Sequence, residues 1–173
     1  TKRWDNTSIS GKVQYTDLRP YQDLIRQSFD WEQAPVAKVA EFVLRQKVKN
    51  NGLLKVYANV DLSNFIIRQP NIDRDGVKDT ISIDNKYFYL NTTYKDIINK
   101  KWSVRGGLST TYNKEDIGFN TDQIDETERG VHGKLAFNWD ASEKLSVNMG
   151  SEVFHKSFEY KKKRWRKKSG QVI

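Results

Sequence analysis

The chain has 173 residues, a formal net charge of +8, 36% hydrophobic residues and a mean hydropathy of −0.80. This length suits one domain, and the absence of cysteine excludes disulfides and thiol chemistry. No window approaches the roughly 18 consecutive apolar residues of a membrane helix, which excludes a helical membrane protein but not a transmembrane β-barrel. The first ten residues contain no apolar signal segment, so an exported protein would be represented here by a fragment or a processed piece.

Apolar residues recur at every second position along most of the chain, and this period predicts β-strands. One short helix is expected over residues 21–29, directly after Pro20. The strands, in chain order, are expected over residues 8–17, 36–49, 53–65, 86–95, 102–112, 129–139 and 144–160. The sequence therefore predicts an all-β protein, an antiparallel up-and-down meander of about seven long strands within residues 1–160.

The predicted connections alternate in length. Short ones follow the second, fourth and sixth strands, at residues 50–52, 96–101 and 140–144. Long polar ones cover residues 18–35, 66–85 and 113–128. A meander would place all short turns at one end of the sheet and all long loops at the other, an arrangement typical of a transmembrane β-barrel.

The third predicted strand has one apolar face, formed by alternate residues from Leu54 to Leu62. At about 3.4 Å per residue this face is roughly 27 Å long, close to the height of a barrel's apolar band after tilting. Trp102 and Trp139 stand beside short turns and are expected at one rim. The opposite rim is expected to hold Tyr112, Phe65 and Tyr87, as aromatic girdles are found at both membrane interfaces.

The other face of the predicted strands is charged and rich in amides. A water-filled lumen accepts such residues, although a soluble barrel with an apolar interior would show the same alternation. The residues expected to face the lumen and to line a substrate path are Glu41, Arg45, Lys55, Asn59, Asp61, Arg105, His132 and Lys134.

The amino-acid sequences of several predicted strands resemble those of a known family. The segments are "NTSISGKVQYTDLRPYQDL", "APVAKVAEFVLRQKVKNNGLLKVYANVDLSNFIIRQPNI", "NKYFYLNTTYKDIINKKWSVRGGLSTTYN" and "GKLAFNWDASEKLSVNMGSEVF". They resemble barrel segments of TonB-dependent outer-membrane receptors of Gram-negative bacteria. The resemblance implies a barrel of about 22 strands plugged by a separate domain, which contacts TonB and is absent from this chain. It also implies import of a scarce ligand such as a siderophore, cobalamin or a glycan.

Two further motifs suggest binding. The loop "NIDRDGVKD" offers Asn71, Asp73, Asp75 and Asp79 as oxygen ligands for calcium, with a glycine for the tight bend. The alternative is a solvated acidic turn. The run "KKKRWRKK" carries seven positive charges and begins a segment, 161–173, expected to be a disordered basic tail or loop. Lys161 to Lys168 could also bind nucleic acid or an anionic lipid surface.

No catalytic triad, phosphate loop or carboxylate pair is evident, so the expected function is not enzymatic. The leading hypothesis is part of a TonB-dependent receptor barrel in the outer membrane, with lipid, TonB and a small-molecule or glycan ligand as partners. One alternative is a soluble all-β barrel that binds a small ligand. The other is a nucleic-acid-binding β-domain that uses the basic run, which is the less favoured reading.

Overall fold

The computed structural model describes residues 1–22, 24, 30–48 and 51–164, and these form one antiparallel sheet. Its strands lie side by side in chain order, so the predicted up-and-down meander is confirmed. The elements are β1 (Lys2–Arg3), β2 (Thr7–Asp17), α1 (Arg19–Gln22), β3 (Asp30–Val48), β4 (Gly52–Pro70), β5 (Lys78–Ile97), β6 (Trp102–Phe119), β7 (Asp122–Ser142) and β8 (Leu145–Arg164).

The seven long strands correspond to the seven predicted ones, and β1 is a short addition at one edge. The predicted and observed strands agree within a few residues at the end of the sheet where residues 49–51, 98–101 and 143–144 connect them. We call this the turn end. At the opposite end, the loop end, β3 to β7 each continue for five to eight residues beyond the predicted strand.

The predicted long connection over residues 113–128 is wrong. β6 and β7 stay paired as far as Phe119 and Asp122, so only a two-residue turn joins them. The connection predicted over 66–85 likewise shrinks to residues 71–77. In these stretches, polar residues occupy the face that is apolar in the rest of each strand. The alternation that identifies a strand in the sequence is therefore lost, although the backbone pairing continues.

The turn between β6 and β7 is anchored to its neighbour by Asn120. This residue has a positive φ of 53°, a conformation that asparagine tolerates better than most residues. Its Oδ1 accepts a hydrogen bond from the Thr80 backbone N–H at 2.8 Å, and its Nδ2 donates to Asp79 at 2.8 Å. The turn is therefore tied to the start of β5 as well as to its own strands.

The predicted helix and the predicted tail are described only in part. The helix α1 covers Arg19–Gln22, whereas residues 23 and 25–29 lie outside the described residues. β8 continues to Arg164, which opposes Asp122 of β7, so the strand does not end at the predicted boundary of residue 160. The remainder of the basic run, from residue 165, lies outside the described residues.

The sheet is a single layer with almost no core of its own. Among the described residues Ala34 is the only buried hydrophobic one, with 2% of its surface exposed. The chain exposes 13544 Å², whereas a compact globular protein of its mass exposes about 8,800 Å². Hydrophobic burial within the chain therefore does not account for the long apolar face.

Replacement of Asn120 by alanine is expected to destabilise the loop end. The change places a less tolerant residue at positive φ and leaves the Thr80 N–H without its acceptor, at a cost of about 1–3 kcal/mol. Urea unfolding followed by tryptophan fluorescence measures it. The neighbouring Thr121→Ala variant serves as the control and is expected to unfold like the wild type; equal midpoints for both variants would contradict the anchoring role.

Candidate functional site: the two faces of the sheet

Cross-strand register sorts the side chains of β2 to β8 into two faces. Residues that oppose each other on neighbouring strands point to the same side of a sheet. Leu54 opposes Tyr94, Tyr94 opposes Gly106, and Gly106 opposes Leu135, which defines what we call the apolar face. Likewise, Lys55 opposes Thr93, Thr93 opposes Gly107, and Gly107 opposes Lys134, which defines the polar face.

The apolar face is continuous across seven strands and is not covered by any other described element. Leu108 in the middle of the sheet has 60% of its surface exposed, and Val153 has 69%. The other large apolar residues exposed on this face are Val13, Phe42, Leu62, Phe88, Val131, Leu135, Trp139 and Met149. A contiguous apolar surface of this extent is far larger than scattered exposed side chains and marks an interaction surface.

Aromatic side chains border this apolar face at both ends. Trp102 and Trp139 oppose each other near the turn end, and their rings stack with centroids 5.7 Å apart. Toward the loop end Phe88 opposes Tyr112, and the Arg129 guanidinium lies 5.8 Å from the Tyr112 ring centroid. From Trp102 to Tyr112 is ten residues, or about 34 Å along the strand. A tilt of about 40° reduces this to roughly 26 Å.

Two of the aromatic residues predicted for the loop-end rim lie on the wrong face for it. Tyr87 opposes Asp61 and Phe65 opposes Ile83, both on the polar face, whereas Tyr112 lies on the apolar face. The sequence places all three near one end of the sheet, which is correct. The prediction of a rim used only the distance of these residues along the strand, whereas the register places Tyr87 and Phe65 on the polar face.

Beyond the aromatic border the apolar face becomes charged. Lys86 opposes Lys114, and in the next row Asp84 opposes Asp116, which opposes Asp125. Each aspartate has a lysine beside it: Lys86 lies 3.2 Å from Asp84, Lys114 lies 3.0 Å from Asp116, and Lys163 lies 3.1 Å from Asp125. The aspartate row is therefore balanced by ion pairs within the sheet.

At the same height along the strands, the polar face becomes apolar. Phe65, Ile83, Ile117 and Ile124 oppose one another in a row across four strands on this face. Trp31 packs edge-on against Phe65, with ring centroids 5.8 Å apart. The side of the sheet that carries apolar residues therefore switches near the loop end.

All eight residues predicted to face a lumen lie on the polar face. Arg45 opposes Lys55, and Glu41 opposes Asn59. Four others, Asp61, Arg105, His132 and Lys134, occupy the same face through the strand register. They do not converge on one point, but are spread over four strands, β3, β4, β6 and β7.

Register adds partners that strand alternation alone did not single out. Lys95 directly opposes Arg105 on the polar face, at the turn end. Glu152 of β8 accepts a hydrogen bond from His132 at 2.6 Å, in the protonation state where Nε2 carries the proton, and lies 3.5 Å from Lys134. Such pairs depend on which residues face one another across strands, which the period of a single strand does not contain.

The structure does not assemble the candidate calcium ligands. Asn71 donates to one Asp79 oxygen at 2.8 Å and Asn120 donates to the other at 2.8 Å, while the Asn71 oxygen accepts from the Asp73 N–H at 2.9 Å. Asp75 is exposed. Within the described ranges no three acidic, histidine or cysteine side chains converge as a metal site requires. The loop is instead closed by its own hydrogen bonds, with Gly76 at a φ of 75°.

Comparison with protein-family models gives no match, and no curated protein matches the chain. Among the described residues no helix is long and apolar enough to cross a membrane. The function is therefore inferred from the geometry of the two faces and from the strand register.

The ion pair of Asp125 predicts a dependence of stability on pH. The Lys163 ammonium lowers the pKa of the Asp125 carboxyl below its ordinary value of 3.8, because it stabilises the charged form. A depressed pKa contributes stability that is present above pH 3.8 and is lost as the pH falls through the lower folded-state value. Asp125→Asn is expected to unfold more easily than the wild type at neutral pH, and this difference should vanish well below pH 3.8.

Unfolding midpoints of both proteins between neutral and acidic pH measure this effect. The control is Glu143→Gln in the β7–β8 turn, since Glu143 has no ion-pair partner in the described part of the chain. A difference between Asp125→Asn and the wild type that persists at the acid end would show that the ion pair is not its source.

Proposed function

We propose that this chain forms part of a transmembrane β-barrel in a bacterial outer membrane, with its apolar face against lipid. The observation that carries the proposal is the uncovered apolar band between the Trp102–Trp139 pair and the Phe88–Tyr112 pair. Its height of roughly 26 Å matches the apolar band of such barrels, about 25 Å, and aromatic girdles border that band in the same way. Charged rows follow directly beyond it, where water and lipid headgroups would begin.

Backbone hydrogen bonding supports the same assignment. In hydrocarbon every N–H and C=O must be paired, which open loops cannot provide and long antiparallel ladders can. β5 and β6 pair without interruption from Ile81 and Phe119 to Ile97 and Ser103. β1 and β8 each have one neighbour in the sheet, so a closed barrel requires additional strands.

A soluble barrel is the alternative that the sequence leaves open, and the structure offers less support for it. Strands of 18 to 21 residues, as in β3 to β8, are far longer than the five or six residues typical of soluble sheets.

The polar face would then line the lumen. The resemblance of the strand segments to TonB-dependent receptors supports a more specific proposal: the chain is a piece of such a receptor. Energy would reach it from TonB through a plug domain, and the imported ligand would be a siderophore, cobalamin or a glycan. In this proposal the loop end lies outside the cell, and the turn end faces the periplasm, as in barrels of this kind.

An arginine introduced at the centre of the apolar band is expected to lower the free energy of unfolding substantially only if it lies on the lipid-facing side. Leu108→Arg places a cation at bilayer depth and should destabilise the protein by about 2–4 kcal/mol, whereas the adjacent Ser109→Arg, directed to the polar face, should cost about 0–1 kcal/mol. Urea unfolding of the complete protein in phospholipid vesicles measures both values.

Leu108→Arg and Ser109→Arg form a matched pair because they occupy one strand at nearly the same depth and introduce the same side chain. Equal costs for the two variants would contradict a lipid-facing assignment of the apolar face. A larger cost for Ser109→Arg would contradict it as well. A soluble barrel would bury the apolar face and show the same order of costs, but it would fold in buffer without vesicles or detergent.

The receptor assignment is tested in cells. Deletion of the gene for the complete protein is expected to abolish growth on one scarce ligand, supplied as a siderophore, cobalamin or a glycan, and deletion of tonB should have the same effect on that ligand. If the deletion strain grows on every ligand tested, while the protein is recovered from the outer-membrane fraction of the parent strain, the transport function is rejected. The barrel assignment would then still stand.

A further inference from the structure

The polar face carries an apolar wall where it reaches the loop end. The apolar row that begins at Phe65 is followed, one step nearer the loop end, by a second one. In this second row Ile67 opposes Ile81, and Ile81 opposes Phe119. Trp31 opposes Ile67 and extends the row onto β3. We call these two rows the loop-end wall.

Membrane lipid does not account for the loop-end wall. Ile117, in the first row of the wall, is five residues past Tyr112, which marks the aromatic border on the same strand. Five residues span about 17 Å along a strand, or roughly 13 Å along the membrane normal at a tilt of about 40°. The wall therefore lies beyond the apolar band, and it faces away from the lipid side. A solute that enters from the loop end would meet it before the charged rows deeper on the polar face.

The size of the loop-end wall fits a small molecule. Four strands about 4.8 Å apart and two rows about 7 Å apart give roughly 200 Å² of apolar surface. A stable protein–protein interface buries about 800 Å² on each partner, so the wall is too small to hold another protein by itself. Phe119 has 47% of its surface exposed, while the half-buried rings of Trp31 and Phe65 pack edge-on at 5.8 Å. Ligand sites are commonly lined in this way, by apolar and aromatic side chains with a few polar groups beside them.

The two rows directly below the loop-end wall are rich in hydrogen-bond acceptors, and we call them the acceptor rows. The first contains Glu115 and Glu126, and the second contains Asp61 and Glu128. In the described part of the chain only Glu128 among these four has an ion-pair partner, Lys156 at 2.9 Å. Ionised carboxylates accept hydrogen bonds and donate none. A ligand on these rows must therefore supply donors, such as hydroxyl or amine groups, whereas a phosphate or carboxylate would add further acceptors and negative charge.

We propose that the loop-end wall and the acceptor rows bind a small amphiphilic solute, with its apolar group on the wall and its hydroxyl or amine groups on the acceptor rows. The inference deepens the proposed function and rests on it, because it takes the loop end to lie outside the cell and the polar face to line the lumen. It narrows the imported ligand to a neutral or cationic molecule with an apolar substituent, such as an aryl or acyl glycoside. Anionic chelates are excluded.

The apolar half of the site is tested by titration calorimetry of the complete protein in detergent micelles, with titration into empty micelles subtracted. The probe is para-nitrophenyl glucoside, and methyl glucoside, which lacks the aryl group, is expected to bind at least tenfold more weakly. Phe65→Ala should weaken binding of the aryl glucoside at least tenfold. The matched control is the adjacent Ile66→Ala, since Ile66 opposes Ser82 on the other face of the sheet, and it should change the affinity less than twofold.

The exclusion of anions is tested with para-nitrophenyl glucuronide, which has a carboxylate in place of the hydroxymethyl group of the glucoside. It is expected to bind the wild type at least tenfold more weakly than the glucoside. Glu115→Gln/Glu126→Gln should reduce this difference to less than threefold, because it removes two negative charges from the acceptor rows. The matched control Asp116→Asn/Asp125→Asn neutralises an opposed pair on the same two strands but on the other face, and should leave the difference unchanged.

Absence of aryl glucoside binding would overturn the proposal, and a lowered urea midpoint of Phe65→Ala in that case would show that another loop of the barrel covers the wall. Equal affinities of the two glucosides, or a glucuronide that binds as tightly as the glucoside, would also overturn it. If Phe65→Ala lacks the strand content of the wild type by circular dichroism, Phe119→Ala replaces it and should weaken binding at least fivefold. None of these results alters the Leu108→Arg and Ser109→Arg comparison, so this site can fail while the barrel assignment stands.

Discussion

Antiparallel pairing along nearly the whole length of the long strands is the constraint on which every other feature of this sheet depends. The ladder between β4 and β5 runs from Pro70 and Lys78 to Leu53 and Lys95 without a shift in register. A shift of one residue would move every side chain of a strand to the opposite face. Because the register shifts only near strand ends, between Trp31 and Val36 of β3 and between Asp140 and Ser142 of β7, short stretches of alternation add up to one mainly apolar surface and one mainly polar surface.

The composition of each face changes with height along the strands, and these changes explain the otherwise puzzling length of the strands. Between the aromatic borders the apolar face carries mainly apolar side chains, which suits the lipid contact proposed above. Beyond Tyr112 it carries the lysines and aspartates of a wetted surface, while Phe65 and Ile117 bring apolar character to the other face. Strands of this kind extend well past the height of a hydrocarbon layer, and the two-residue turn at Asn120 caps such an extension.

Charge on the polar face is also distributed unevenly. The cations Arg45, Lys55, Lys95 and Arg105 lie toward the turn end, whereas Glu115 directly opposes Glu126 nearer the loop end. A solute that moved along this face would pass from an acidic to a basic region. Fields of this sort guide charged ligands, and in a confined lumen they act over longer distances than on an open surface.

Sequence patterns alone determined the fold class, the number of long strands and the face of most side chains, because a period of two is a local property of the backbone. Alternation from Leu54 to Leu62 assigns that strand without reference to any other. The eight residues expected on the polar face are all found there for the same reason. The strand ends at the turn end were also accessible, since residues such as Gly52 and Asn99 mark them locally.

Only the tertiary structure decided which residues meet across strands. The loop-end extensions were missed because Lys114, Glu115 and Asp116 lack alternation, although pairing with β5 and β7 keeps them in the sheet. The partners of the calcium motif were likewise not accessible locally, since Asn120, 41 residues from Asp79 in sequence, donates a hydrogen bond to one of its oxygens. The opposed cations Lys95 and Arg105 are separated by a turn whose exact length sets their register. Local patterns specify the direction of each side chain, but charge balance and partner identity depend on long-range pairing, which no single strand encodes.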